Sequence, residues 1–469
     1  MTGSSSNAPR SRMKRTSIWL RLAVLSLLVA AGSIVAVGWY AYQTWNRIVR
    51  VEPRLPLSLP GAQPGEPQEE APPPEWTGKD RVNILLVGVD QREPNEIPRT
   101  DTIIVASIDP VTKSAALVSF PRDLWVQIPG YGNDRINAAY PLGEGAREAA
   151  RRNNKPVTLT GAGLLRRTIE INFGIPIHFF VAIDFQGFIR GIDALGGVLV
   201  DVERPIKDDE YPSFNYPHYE RIYIPAGLQL MDGATALRYV RSRHGDSDFG
   251  RARRQQQVIL AARQRALQLN AIARLPQIVA ALQDSIRTDM QLPDMIALAR
   301  LAREIEPSAI TTRVIDEELT THWITPAGAD VQVPKWPEVR RMLAQLFADT
   351  RLAAEAARIE VRNGTTIAGL ARRTAQWLEA RGYTVVDATQ ADRSNYVEPI
   401  LIDYGNKPYT RALLARELRI PVGNIRVEAG PPGKADIVVV LGSSFTLPDS
   451  PAPTPAAPAA AAGGGAGRH

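Results

Sequence analysis

The run from Leu22 to Tyr42 holds no charged side chain, and it limits the chain more than any other feature. At ~1.5 Å per residue such a run is long enough, as a helix, to cross a hydrocarbon core of about 30 Å. Arg10, Arg12, Lys14, Arg15 and Arg21 precede it, so the positive-inside rule puts the N-terminus (1–21) in the cytoplasm. Everything after the span at 22–42 then lies outside. Arg47, Arg50 and Arg54 on the far side count against this orientation, but they are fewer. Trp39, Tyr40, Tyr42 and Trp45 suit an aromatic belt at the outer interface. A cleaved signal peptide is the alternative. The run exceeds the ~7–15 residues of a usual signal core, which favours an uncleaved anchor. The expectation is a single-pass protein of the cell membrane with its bulk extracytoplasmic.

The rest of the 469 residues divides by composition. A linker spans 43–80, and its proline-rich part from Pro53 to Pro74 reads as a stiff stalk holding the next domain off the membrane. The domain expected at 81–350 opens on the apolar strand Val82 to Val89, with further strands at Thr102 to Ile108 and Ala115 to Phe120. Helices follow from Gly143 to Arg152 and Gly163 to Ile171, then a strand from Phe179 to Ile183 and a helix from Phe185 to Leu195. Gly196-Gly197 stops that helix before a strand from Val198 to Val202. Glu210 to Arg221 reads as a surface loop, Leu230 to Val240 as a helix, and Gly250 to about Leu269 as another. More helix runs to Arg303, then a strand from Thr311 to Ile315 and a closing helix from Trp336 to Ala357. This alternation predicts an α/β layered sandwich, a central sheet flanked by helices. A second module at 358–445, in the order βαββαβ, predicts a small α+β domain of ferredoxin-like type. The Pro/Ala/Gly tail at 446–469 reads as disordered.

Composition removes several kinds of chemistry. There is no cysteine, which excludes disulfides and thiolate metal sites. Five histidines without paired spacing do not suit a zinc enzyme. The net charge of +6 fits an anionic substrate or a membrane surface, and nucleic acid is not expected as a partner.

Five arginines fall between Tyr239 and Gln257: Arg241, Arg243, Arg251, Arg253 and Arg254. The first two end one helical pattern, and a polar turn, Gly245-Asp246-Ser247-Asp248, leads into the next. There Arg251, Arg254 and Gln255 share a face over the first helical turn, where unpaired N–H groups and a partial positive charge already favour anions. Guanidinium forks at that place suit phosphate. The bland alternative is a solvated basic helix face. Against it, these arginines flank a tight Gly/Asp turn rather than repeating along a helix with acidic partners.

Carboxylates also gather at strand ends. The first strand ends at Asp90 and the second begins Arg99-Thr100-Asp101. Asp90 and Asp101 can converge on one hard cation such as Mg2+, which takes a few carboxylates and phosphate oxygens. The third strand delivers Arg122, and Arg135 adds a further cation. Two acids with several arginines on one sheet edge are what phosphoryl transfer needs. There is no P-loop and no kinase signature, so a nucleotide donor is not indicated.

In order, NILLVGVDQR, RTDTI, FPRDLWVQIPGYG, RINAAY, the segment from Gly187 to Val202, LQLMDGATALRYVRSR and DSDFGRARRQQ resemble the LytR-CpsA-Psr family of cell-wall glycopolymer phosphotransferases. VRNGT, GLA and LEARGY resemble the LytR C-terminal domain. The resemblance implies a polyprenyl-pyrophosphate-linked glycan as donor and peptidoglycan as acceptor, at the C6 hydroxyl of N-acetylmuramic acid. It implies Asp90 and Asp101 as magnesium acids, and Arg122, Arg241, Arg243, Arg251 and Gln255 as pyrophosphate ligands. It puts Arg99 beside the second acid and makes Asp248 the acid that orients the arginines. Arg135 stands where the family more often has lysine, and it is counted with the pyrophosphate ligands. Asp101 is the expected proton acceptor for the attacking hydroxyl. A pyrophosphohydrolase using the same arginines, or a non-catalytic regulator of envelope assembly, are the alternatives.

Overall fold

The computed structural model describes residues 50–51, 76, 78, 80–90, 98–213, 218–242, 247–269, 282, 285–347, 350–379, 381–429 and 434–447. The expected anchor at 22–42 and the tail after residue 447 lie outside them. Among the described residues no helix is long and apolar enough to cross a membrane.

The first domain opens with strands β1 (Arg50–Val51), β2 (Val82–Asp90), β3 (Arg99–Asp109) and β4 (Ser114–Ser119), then a hairpin of β5 (Trp125–Ile128) and β6 (Gly132–Arg135). Helices α1 (Ala139–Arg152) and α2 (Gly161–Phe173) follow, then β7 (Phe179–Asp184) and α3 (Phe185–Ala194). Next come β8 (Val198–Val202), β9 (Ile206–Pro212), β10 (Tyr219–Ile224) and β11 (Gly227–Met231). Helices α4 (Gly233–Arg241) and α5 (Asp248–Gln268) lead to β12 (Ile286–Thr288), α6 (Leu292–Glu304) and β13 (Ile310–Val314). A hairpin of β14 (Thr320–Ile324) and β15 (Asp330–Pro334) precedes α7 (Trp336–Leu346) and α8 (Thr350–Glu355).

Seven strands form one mixed sheet in the order β1-β12-β7-β2-β3-β4-β13. β2 is its centre because its apolar run is buried on both faces over most of its length. Leu85, Val87, Ile103 and Val105 pack under α2, whose Leu164, Leu165 and Ile169 are fully buried. A second core forms where α3, α4 and α5 cover β8 and β11. Helix starts follow local chemistry. The Asp184 carboxylate accepts from Gly187 N at α3, and Asp232 accepts from Thr235 N at α4. Gly196 and Gly197 end α3 with φ of +68° and +87°.

Several expectations are corrected. Leu230 lies in β11, and α4 begins only at Gly233, because Leu228 and Leu230 alternate outward on a strand and Asp232 then caps the helix. The loop expected at 210–221 includes parts of β9 and β10, whose Tyr211 and Ile222 point inward. The helix expected from Gly143 starts at Ala139. Strand β12 interrupts the helical stretch before Arg303, and the closing helix is two, α7 and α8. Arg50 and Val51, within the expected linker, pair in parallel with Arg287 and Thr288, and the proline-rich stretch from Pro53 to Pro74 lies outside the described residues.

The second module contains β16 (Arg358–Asn363), α9 (Leu370–Glu379), β17 (Thr384–Gln390), β18 (Ile400–Asp403), α10 (Pro408–Glu417), β19 (Ile425–Val427) and β20 (Ile437–Leu441). Its sheet order, β17-β16-β20-β18-β19, includes one antiparallel pairing, β18 with β20. This is not the antiparallel ferredoxin-like sheet the element order predicted. Strand β19 adds a parallel βαβ unit with β18, and β20 crosses back to the centre. Glu355 at the end of α8 caps α10, accepting from Tyr409 N at 2.9 Å and Thr410 N at 2.7 Å.

Candidate functional site

Strand register brings the predicted acids and arginines to one edge of the large sheet. Val89 near the end of β2 lies beside Asp184 at the end of β7, and Asp90 lies opposite Arg99 at the start of β3. The antiparallel β4 returns to the same edge, where Phe120-Pro121 stops it and Arg122 follows.

Asp101 reaches the site through an irregularity. Gly88 pairs with Thr102 and Val89 with Thr100, which leaves Asp101 as the extra residue of a β-bulge. A Cβ at position 88 would lie 2.8 Å from Thr102 Cβ, so the close approach needs glycine. Gly88→Ala is expected to cost about 1–3 kcal/mol by overpacking. It should lower site activity further than that stability loss explains, because the bulge aims Asp101. Thermal unfolding and turnover on one preparation check this; wild-type turnover would refute the role of the bulge.

Around Arg122 the charges form a connected set. Its Nη1 donates to Asp101 Oδ1 at 3.1 Å, and its Nε donates to Asp123 Oδ2 at 3.1 Å and lies 3.8 Å from Asp248 Oδ2. Asp248 Oδ1 is 2.8 Å from Arg251 Nη1, and Asp123 Oδ1 is 3.5 Å from Arg135 Nε. Three carboxylates thus orient three guanidinium groups. Burial works against the charge on Arg122, but Asp123, Asp101 and Asp248 outweigh it and hold its pKa above the ordinary value. Arg251 is only 5% exposed, so its fork is fixed in place.

Arg241, the last residue of α4, approaches from the other side of β2. Its guanidinium lies 4.1 Å from the ring centroid of Phe185, the first residue after β7, and its Nη1 donates to the Tyr211 hydroxyl at 3.2 Å. Burial pushes the Tyr211 hydroxyl pKa up, with Arg241 pulling it the other way.

The helix face predicted to bind anions divides. Arg254 donates to the carbonyls of Tyr239 at 2.9 Å and Ser242 at 2.6 Å, closing the end of α4. The Gln255 amide points to Val240 O at 3.5 Å, also at that end. Arg251 faces the carboxylates through its ion pair with Asp248, and Gln255 is placed against backbone. Arg253 is 56% exposed and pairs with Asp316 at 3.1 Å. Helix α5 begins at Asp248, two residues before the expected Gly250, because Ser247 Oγ caps it by accepting from Gly250 N. Arg99 is exposed at the head of β3. Arg243 lies outside the described residues.

Two members escaped sequence reading. Asp123, beside Arg122, joins Arg122 to Arg135. Gln256 is buried and donates to Ser119 Oγ and Arg313 O, both at 2.7 Å, pinning α5 to β4 and β13. A polar residue between the arginines and a long apolar stretch was the available signal.

Among the described residues no group of three or more acidic or histidine side chains is suited to a metal. Asp90 ends β2 and Asp101 lies in the bulge of the neighbouring β3. Two carboxylates are a donor set for an octahedral cation completed by phosphate and water oxygens, not for a closed protein cage.

Fold and site define a class: an α/β domain whose sheet edge carries a cluster of paired arginines and carboxylates. The model of the LytR_cpsA_psr family matches residues 62–348, and that of the LytR cell envelope-related transcriptional attenuator matches residues 356–445. The chain belongs to the LytR_cpsA_psr family. It is 36% identical over 224 residues to the polyisoprenyl-teichoic acid–peptidoglycan teichoic acid transferase TagU of Oceanobacillus iheyensis, covering 47% of this chain and 62% of that protein. It is 28% identical over 296 residues to TagT of Bacillus subtilis, named for the same transfer, covering 62% of this chain and 83% of that protein. The alignment thus spans less than two thirds of the length of the Oceanobacillus relative. Among solved structures, B. subtilis TagV aligns at 27% identity with a TM-score of 0.47, over 57% of this chain and 97% of that one.

Proposed function

We propose that this chain is a membrane-anchored phosphotransferase that moves a glycopolymer phosphate from a polyprenyl-pyrophosphate carrier onto peptidoglycan. The observation that carries this reading is the continuous set from Arg251 through Asp248 and Arg122 to Asp101 on one sheet edge. Preoriented guanidinium groups stabilise charge as it develops on a leaving phosphate without having to reorganise.

The acceptor oxygen attacks the phosphorus bonded to the glycan. The bond from that phosphorus to the bridging oxygen breaks, and the carrier leaves as its monophosphate. Arg122, Arg241 and Arg251 hold the pyrophosphate oxygens in this scheme. Asp101 receives the acceptor's proton in this scheme, and Arg122 Nη1, 3.1 Å from its Oδ1, fixes where that carboxylate lies. The cluster's acids nearly balance its arginines, so a bare pyrophosphate would meet mixed charge there. We assign Asp90 and Asp101 to hold Mg2+, which when bound would neutralise phosphate oxygens. The names of the TagU and TagT relatives, teichoic acid transferases to peptidoglycan, support this reading.

The test is incubation of a short-chain polyprenyl-pyrophosphate-linked saccharide with peptidoglycan fragments, with magnesium varied. The expected product is a saccharide phosphodiester on the fragment, formed only with the divalent ion. Free sugar phosphate formed equally well without fragments would favour the hydrolase reading instead.

A further inference from the structure

The hairpin of β5 and β6 has an outward face whose Trp125, Gln127 and Asn133 take no part in the phosphate chemistry. Val126 and Ile128 point into the core, so Trp125 and Gln127 point out. Trp125 is the register partner of Arg135, and Gln127 of Asn133, so an indole, a guanidinium and two amides share one side of the ribbon. Trp323 of β14 meets Trp125 edge-on at 5.9 Å between centroids. Arg135 Nη2 donates to Asp330 O at 3.1 Å, which anchors the β14–β15 hairpin alongside. The strip adjoins the pyrophosphate cluster, because Arg135 shares Asp123 with Arg122.

Resting on the phosphotransfer reading, we propose that this strip is a saccharide subsite, with Trp125 as its stacking platform and Gln127 and Asn133 as its hydroxyl-directed amides. The chemistry is specific. One face of a sugar ring presents C–H groups, which suit the negative face of an aromatic ring. Its rim presents hydroxyls, which need paired donors and acceptors, and each amide supplies both. Connectivity fixes the neighbourhood as well. A saccharide is bonded directly to the phosphate being transferred, and the acceptor hydroxyl also belongs to a saccharide. Both must lie within one residue's reach of the arginines. The donor's sugar and the acceptor's sugar therefore share this chemistry, and the experiment separates them.

Trp125→Ala, Trp125→Leu and Gln127→Ala are compared with wild type in three measurements on the full chain. The first is binding of geranyl pyrophosphate, which carries no sugar. The second is KM for a geranyl-pyrophosphate-linked disaccharide. The third is KM for a peptidoglycan disaccharide-peptide acceptor. Losing one stacked ring should raise one KM about threefold to tenfold, with geranyl pyrophosphate binding unchanged. Trp125→Leu should fail like Trp125→Ala, since it restores bulk but no π face. A rise in the second measurement assigns the donor's sugar, and a rise in the third the acceptor's. If Trp125→Ala does not fold, Trp125→Leu and Gln127→Ala decide alone. Unchanged KM values in both arms, or a loss shared equally by sugar-free geranyl pyrophosphate, overturn the subsite. Wild-type protein that binds no geranyl pyrophosphate overturns the phosphotransfer reading and the subsite with it.

Discussion

Arg251→Ala should lower transfer about a hundredfold or more, the loss of ~2–4 kcal/mol typical for one preorganised donor at a developing anion. Arg251 is 5% exposed and held by Asp248 at 2.8 Å, so its fork has one orientation. Arg251→Lys keeps the charge but not the fork, and should also be poor. Arg253, two positions on and 56% exposed, pairs only at the surface with Asp316, and Arg253→Ala should stay near wild type. Steady-state transfer from a short-chain polyprenyl-pyrophosphate donor measures all three. Equal, mild losses at 251 and 253 would restore the solvated-helix reading.

Asp101→Ala should be as severe in rate, with a loss of about 10²–10⁴ if Asp101 accepts the proton. Stability should hardly move. The Asp101–Arg122 pair is 31% and 22% exposed at its two side chains, and Arg122 keeps Asp123 at 3.1 Å. Breaking such a half-exposed pair costs ~0–1 kcal/mol. Turnover and chemical denaturation of the same protein separate the two effects. A variant that loses stability and activity together would make Asp101 structural.

Long apolar runs were legible. Val198–Val202 and Ile437–Leu441 have the boundaries that their hydrophobic patterns predict, the first as an alternating half-buried strand and the second as a continuous buried run. Short strands at edges were not. β12 is three residues long and carries Arg287 on a strand that sequence reads as part of a helical stretch. The β9 and β10 hairpin hides behind Tyr and Pro, which signal loops, although its inward positions alternate. In the second module the element order left out β19, and with it the parallel pairing that sets the sheet apart from a ferredoxin-like one.

The site was legible as residue types more than as roles. Asp101 and Arg122 meet because strand ends are where chain direction collects side chains. Helical spacing grouped Arg251, Arg254 and Gln255, but spacing alone cannot reveal that the end of α4 arrives beside the last two. There the carbonyls of Tyr239, Val240 and Ser242 need donors, and Arg254 and Gln255 turn to them. The bulge that aims Asp101 was invisible because register is a property of two strands, not one.

The most direct test of the central claim is a crystal structure of the protein soaked with geranyl pyrophosphate and magnesium. The account predicts the pyrophosphate on the edge formed by β7, β2, β3 and β4, within hydrogen-bond distance of Arg122, Arg241 and Arg251, with the metal between it and Asp90 and Asp101. A pyrophosphate bound elsewhere, or a metal that leaves Asp90 and Asp101 untouched, would contradict it.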